Sequence, residues 1–189
     1  MEPLNNLPGR LFLDSSTLQA LQTYGGYIYD GGYIDANNSL WSIPNGYPNI
    51  EALRQIMFVG QRANFELVLS SNSLREVADR MKHDYLQWAY EIVAYMDGLL
   101  SVYKAEGRLP FTGVGKDLAE RVTPTNFGYL SHKDLILIRD ALLLECEAFL
   151  TMDRKLKRNA PHIERELGLK VLEPTDYWTL LEPWDTLSV

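Results

Sequence analysis

The chain has very little of the residue types that build disulfides and zinc sites, with one cysteine and three histidines among 189 residues. A single cysteine cannot form an internal disulfide, which favours a reduced, cytoplasmic setting. Cys146 lies in an apolar helical pattern with no histidine placed to activate it, so we expect it in the core. No two of His83, His132 and His162 have the spacing of zinc ligands, which argues against a zinc site.

The sequence also lacks long apolar runs and a positive net charge. No apolar stretch approaches the roughly 18 residues needed to span a membrane, and MEPLNNLPGR lacks the regions of a signal sequence. We therefore expect a cytoplasmic protein without a membrane partner. The net charge of −7 argues against a protein that coats nucleic acid electrostatically. It does not argue against an enzyme whose clustered carboxylates hold a metal.

Length and composition are those of one globular domain over residues 1–189, with 46% hydrophobic and 23% charged residues. Helical patterns, among them a long one over 84–107, alternate with short apolar stretches. This alternation predicts an α/β fold with a mainly parallel central sheet. The predicted strands lie at about 10–14, 65–69, 148–151 and 169–172.

A tyrosine- and glycine-rich insertion at about 23–63 interrupts this pattern. Its GGYI unit begins at Gly25 and again at Gly31, which predicts a β-hairpin. Asn49 is predicted to cap the helix that follows. The aromatic residues of the insertion either pack the hairpin onto the body or a partner subunit, which we favour, or stack on single-stranded RNA. They are Tyr24, Tyr27, Tyr29, Tyr33, Trp41 and Tyr47.

Four acids occupy corresponding places at strand ends or helix starts, and they are Asp14, Glu76, Asp134 and Asp153. Strand ends and helix starts share one edge of a parallel sheet, so the carboxylates are expected to converge there. Such a set suits Mg²⁺ or Mn²⁺, which prefer oxygen ligands and activate water for attack on a phosphodiester. Each acid also has a local alternative as a helix cap or, for Glu76 with Ser73 and Asp134 with Ser131, as part of a capping box.

The four motifs resemble, in order, those of the PIN-domain family, whose members are mostly metal-dependent ribonucleases. The resemblance is carried by LFLDSST, LVLSSNSLREV, HKDLILIRDALLLEC and AFLTMDRKL, and covers residues 10–23 and 65–182. The closing LGLKVLEPTDYWTLL is similar to the last strand and helix of PIN-domain toxins. The resemblance implies a three-layer α/β/α fold and Asp14, Glu76, Asp134 and Asp153 as catalytic metal ligands.

The resemblance further implies a Mg²⁺- or Mn²⁺-dependent endoribonuclease that hydrolyses RNA, as a toxin or an RNA-processing nuclease. Ser15 and Thr151 would orient the carboxylates through hydrogen bonds. An antitoxin-like protein partner and a homodimer are left open. The alternative function is a non-catalytic PIN-like module that binds RNA or protein. Asp140 is expected in an ion pair or an interface, although an exchange of roles with Asp134 is left open.

A basic run directly follows Asp153. It either grips the phosphates of a nucleic-acid substrate or forms a solvated helix face, and the sequence favours neither. Its members are Arg154, Lys155, Lys157 and Arg158.

Overall fold

The computed structural model describes residues 7–60, 65–78, 87–94, 98, 105 and 114–185. Within these ranges the sheet has the strand order β2-β1-β3-β4, and every neighbouring pair is parallel. The predicted α/β class with a parallel sheet is therefore confirmed. The strands are β1 (Arg10–Leu13), β2 (Glu66–Val68), β3 (Ala148–Leu150) and β4 (Lys170–Leu172).

Helices fill the connections between the strands. Residues 87–94, 98 and 105 of the predicted helix 84–107 are helical, and the rest of that segment, like His83, lies outside the described residues. None of the helices within the described ranges is long and apolar enough to cross a membrane. The bounded helices are α1 (Ser15–Thr23), α2 (Gly25–Ile28), α3 (Gly46–Gly60), α4 (Ser71–Val77), α5 (Val114–Arg121), α6 (His132–Leu143), α7 (Arg154–Arg158), α8 (Ala160–Leu167) and α9 (Pro174–Asp185).

Both faces of the sheet are covered by apolar helix residues. Phe12 of β1 stacks on Phe149 of β3 at 5.2 Å, in a cluster that includes residues of α5, α6 and α8. Leu11 and Leu13 point into the opposite cluster, with residues of α1, α3 and α9. Strands buried on two sides need apolar residues at successive positions, which explains the unbroken runs in the sequence. The arrangement is compatible with three α/β/α layers.

The strand order places a topological switch point between β1 and β3. From β1 the chain goes to β2 on one side, and it later returns to β3 on the other side of β1. Parallel sheets bind ligands in the crevice at the carboxyl ends of such strands. The residues that follow β1 and β3 therefore lie where such folds carry their ligand-binding groups.

The predicted β-hairpin is wrong, because the first GGYI unit forms the short helix α2 and the second lies in irregular chain. Tyr24 is the C-cap of α1, and Ile28 of α2 is 6% exposed. The first GGYI unit therefore forms a helical turn that buries an apolar side chain. Gly32 N donates to Gly26 O at 2.9 Å, which folds the second glycine pair back on the first. Glycine at 31, with φ of 67°, permits that reversal.

The predicted cap at Asn49 is also wrong. Helix α3 begins at Gly46, so Asn49 lies inside it and is only 4% exposed. Its Oδ1 instead accepts hydrogen bonds from Thr175 N (3.2 Å) and Thr175 Oγ1 (2.9 Å) at the start of α9. Ile50, Leu53 and Ile56 of this helix are fully buried and form its apolar face.

Candidate active site

Asp14 directly follows β1 and is 3% exposed. Its Oδ1 accepts hydrogen bonds from Thr17 N and Ser16 Oγ, both at 2.8 Å, so it is the N-cap of α1. Its Oδ2 accepts a 2.6 Å hydrogen bond from the Oγ1 atom of Thr151, the residue that directly follows β3. A cap accounts for the first two contacts, since they lie within the same helix start. It does not account for the bond that crosses to the neighbouring strand.

The electrostatics of Asp14 distinguish it from an ordinary cap. Burial raises the pKa of Asp14 above its usual value, while the hydrogen bonds from Thr151, Thr17 and Ser16 act in the opposite direction. Among the residues that the structure describes, no lysine or arginine forms a salt bridge with it. A buried carboxylate is costly unless it is paired, hydrogen-bonded or metal-bound. Among the described residues, Asp14 thus has hydrogen-bond donors that orient it and no basic side chain that neutralises it.

Asp153 is linked to Asp14 through Thr151. Thr151 is fully buried, and its Oγ1 accepts a 2.9 Å hydrogen bond from Asp153 N while donating to Asp14. Ser16 reinforces the same junction, because its Oγ accepts from Met152 N at 2.8 Å. Asp153 Oδ1 accepts from Lys155 N (2.6 Å), which makes it the N-cap of α7. The two strand ends therefore share one hydrogen-bond network.

Glu76 does not occupy the first turn of its helix, and the predicted capping box of Ser73 with Glu76 is wrong. The box is formed by Ser70 and Ser73, whose backbone N atoms each donate to the other's Oγ at 3.1 Å. An earlier serine thus already satisfies the helix start, and Glu76 falls in the second turn of α4. Its Oε2 accepts a 2.8 Å hydrogen bond from Ser15 Oγ, the residue after Asp14.

Asp134 forms the predicted capping box with Ser131. Ser131 N donates to Asp134 Oδ2 at 2.8 Å, and Asp134 N donates to Ser131 Oγ at 3.2 Å. The adjacent Lys133 has its Nζ 3.9 Å from Glu76 Oε1, so the start of α6 approaches α4. Sequence reasoning missed Lys133, because no local pattern reports how α6 packs against α4.

Asp140 lies at the other end of the same helix pair. Its Oδ2 accepts a 2.9 Å hydrogen bond from Asn72 Nδ2, one turn before Glu76 on α4. This bond gives Asp140 a structural partner across two packed helices. The partner is a neutral amide, so the observed contact is a hydrogen bond between helices.

Thr151 joins Asp14 to Asp153 through hydrogen bonds, and Ser15, the residue after Asp14, donates a separate hydrogen bond to Glu76. These three acids and the hydroxyls bonded to them are the carboxylate network. Among the described residues, Asp134 is connected to it through its neighbour Lys133. In the described part of the chain, no three His, Cys, Asp or Glu side chains form a group that could hold a metal ion.

The basic run forms α7 and divides into two kinds of side chain. Arg154, Lys155 and Arg158 are exposed. Lys157 Nζ instead lies 2.6 Å from Asp176 Oδ2, an oxygen that also accepts from Glu173 N at 2.7 Å. Lys157 therefore ties α7 to the start of α9, and the other three face solvent beside Asp153.

Comparison with models of known protein families, with curated proteins and with solved structures found no match for this chain.

Proposed function

We propose that the chain is a Mg²⁺- or Mn²⁺-dependent endoribonuclease with a PIN-like three-layer fold. The observation that carries the proposal is the hydrogen bond from Thr151 Oγ1 to Asp14 Oδ2 at the switch point of the parallel sheet. It holds a buried carboxylate in place where such folds bind ligands, and that carboxylate lacks a cationic partner among the described residues.

The donor set has the chemistry of a hard-cation site. Carboxylates of Asp14, Asp153, Glu76 and Asp134 would supply the oxygen ligands that Mg²⁺ and Mn²⁺ prefer, and waters would complete the coordination. A bound metal would stabilise the charge of a phosphodiester and lower the pKa of a bound water.

The surrounding residues have supporting roles in this proposal. Thr151 and Ser16 fix the orientation of Asp14, and Ser15 fixes that of Glu76. Arg154, Lys155 and Arg158 stand exposed beside Asp153 and would contact substrate phosphates. A small neighbouring reading frame that encodes an antitoxin-like partner would identify the enzyme as a toxin.

The direct test measures cleavage of a panel of RNAs with Mn²⁺ by the parent protein, Asp14→Asn and Asp153→Asn. The control is Asp117→Asn, which removes an exposed acid from the first turn of α5. Asparagine keeps one carbonyl oxygen, so Asp14→Asn and Asp153→Asn can both retain their helix-cap hydrogen bonds. Both site variants should lose activity while the control keeps it. Cleavage that survives both site substitutions contradicts the proposal.

The second candidate function is a non-catalytic module with the same fold that binds RNA or protein. It is favoured by one observation, that Asp14 and Asp153 each cap a helix and Asp134 completes the capping box of Ser131, so that all three have a structural use. Titration calorimetry with Mn²⁺ separates the two. The nuclease binds Mn²⁺ and loses that binding in Asp14→Asn, whereas the module gives no heat of binding in either protein.

A further inference from the structure

A second candidate site lies in the insertion, away from the carboxylate network. Its cavity of about 380 Å³ is lined by residues that include Tyr24, Tyr27, Tyr33, Asp35 and Asn38. Cavities of this size accommodate small ligands or single side chains. Three aromatic rings and a carboxylate around one space have the chemistry of a site for an organic cation.

Hydrogen bonds hold the walls of this cavity in place. Tyr24 OH donates to Asn38 Oδ1 at 3.3 Å, and the same oxygen accepts from Leu40 N at 2.9 Å. Trp41 Nε1 donates to Asp35 O at 2.9 Å, which fixes the backbone beside the acid. Because the loop is fastened at several points, the cavity is formed before any ligand arrives.

The rim of the cavity faces solvent. Tyr33 is 89% exposed, so its ring contributes little to the apolar core of the chain. Asp35 is also exposed, and its Oδ1 accepts a local hydrogen bond from Asn37 N at 2.7 Å. An aromatic ring and a carboxylate on the same rim are available for contact with a ligand.

The charge of the cavity lining favours a cationic ligand. The described lining contains Asp35 and no lysine, arginine or histidine, while the insertion at 23–63 contains Asp30, Asp35 and Glu51 against Arg54 and Arg62. RNA is disfavoured in the cavity, because its phosphates would meet Asp35 without a basic residue in that lining. A cation is attracted both by the carboxylates and by the faces of the tyrosine rings.

The structure already contains one such contact in this region. The guanidinium carbon of Arg54 lies 5.1 Å from the centroid of the Tyr27 ring. Tyr27 OH also hydrogen-bonds to Glu51, so ring and carboxylate act together on that guanidinium. Tyr24, Tyr33 and Asp35 bring the same residue types, aromatic rings and a carboxylate, to the lining of the cavity.

We propose that this cavity binds an arginine or lysine side chain presented by a basic segment of a partner protein. The insertion is then a docking surface for that partner. The assignment does not depend on the nuclease proposal, because no residue of the cavity belongs to the carboxylate network.

The test uses the full chain and calorimetric titration with an end-capped decapeptide of alternating glycine and arginine. Two further probes are the corresponding glycine–glutamate peptide and a uridine decanucleotide. The variants are Tyr33→Ala and Asp35→Asn, with Tyr90→Ala as the matched control, since Tyr90 is 51% exposed and lies outside the cavity. Thermal unfolding of each variant verifies that it folds as the parent does.

The arginine peptide should bind the parent and Tyr90→Ala equally. Tyr33→Ala should bind about 2-fold to 5-fold more weakly, the range expected for loss of one cation–π contact at an exposed site. Asp35→Asn should also bind more weakly, because it removes the carboxylate that attracts the cation. The glutamate peptide should not bind. Failure of the arginine peptide to bind, or equal affinity for all four proteins, overturns the proposal. Tighter binding of the uridine decanucleotide that is lost in Tyr33→Ala also overturns it and assigns the surface to RNA.

Discussion

Thr151 Oγ1 donates a 2.6 Å hydrogen bond to Asp14 Oδ2 and thereby joins the carboxyl ends of β3 and β1. Both residues are buried, at 0% and 3% exposure. The two strands are also paired through Leu13 and Leu150, immediately before these residues. The side-chain hydrogen bond therefore continues the contact between the two strands one residue beyond their last backbone pair.

Replacing Thr151 with valine should lower the free energy of unfolding by about 1–3 kcal/mol, because a buried carboxylate oxygen loses its donor. Valine keeps the shape of threonine, so lost packing contributes little. Thr151→Ser should retain most of the stability, since the hydroxyl remains. Urea unfolding provides the measurement. The matched control is Thr179→Val, which removes an exposed hydroxyl that donates to Thr175 O within the same helix. Equal stability of the valine and serine variants would contradict the prediction.

Asp14→Asn should gain stability relative to the parent as the pH rises. Burial raises the pKa of Asp14 in the folded chain above its unfolded value. The folded state therefore binds the proton more tightly, and this contribution is fully present below the unfolded pKa of about 4. It is lost as the pH rises through the raised folded pKa. Asparagine carries no titrating group, so the variant is spared that loss.

The measurement is urea unfolding of both proteins in chelator at about pH 4.5 and about pH 7.5. The difference in free energy, variant minus parent, should be more positive at the higher pH. Asp117→Asn reports the background effect of removing one exposed carboxylate from a helix start. A difference that is the same at both pH values, or that falls, would show that Asp14 does not carry the predicted penalty.

The sequence predicts those features that are encoded by neighbouring residues. Apolar runs mark the strands, and Ser131 followed by Asp134 marks the start of α6, because capping depends on residues three apart. The hairpin was mispredicted because alternating tyrosine and glycine suit both a strand and a helical turn with one buried side. Contacts between distant elements, such as Lys133 with Glu76, depend on how helices pack and cannot be predicted from the local sequence pattern.

Substitutions of two glycines in the insertion should have opposite effects. A Cβ on Gly32 would lie 2.8 Å from Gly26 O, a backbone atom that cannot easily move, whereas a Cβ on Gly26 meets nothing within 4 Å. We expect Gly32→Ala to lower the free energy of unfolding by about 1–3 kcal/mol through overpacking. Gly26→Ala, an exposed position in α2, should leave it unchanged or raise it, since alanine favours the helix. The arginine peptide should also bind Gly32→Ala more weakly. An unchanged free energy of unfolding in Gly32→Ala would contradict the close approach of Gly32 to Gly26 O.

The basic run offers a comparison between a free and a paired lysine on the same short helix. Lys155 is exposed beside Asp153, while Lys157 lies 2.6 Å from Asp176. If α7 contacts the phosphates of RNA, Lys155→Met should weaken binding and reduce the slope of log K against log salt by about one. Lys157→Met should change that slope much less, because its charge is already neutralised by a carboxylate. Its effect should appear in stability, as a loss of up to about 1 kcal/mol for a partly exposed pair.

Fluorescence anisotropy of a labelled single-stranded RNA at several salt concentrations measures both slopes, and urea unfolding measures both stabilities. All titrated proteins also carry Asp153→Asn, which should abolish cleavage and so keep the RNA intact during the titration. The two methionine variants differ in position by two residues and remove the same charge, so net charge cannot explain a difference between them. Equal slopes for both variants would mean that RNA responds only to the overall charge of the chain. In that case the exposed face of α7 is a solvated helix surface, and the substrate phosphates are bound elsewhere.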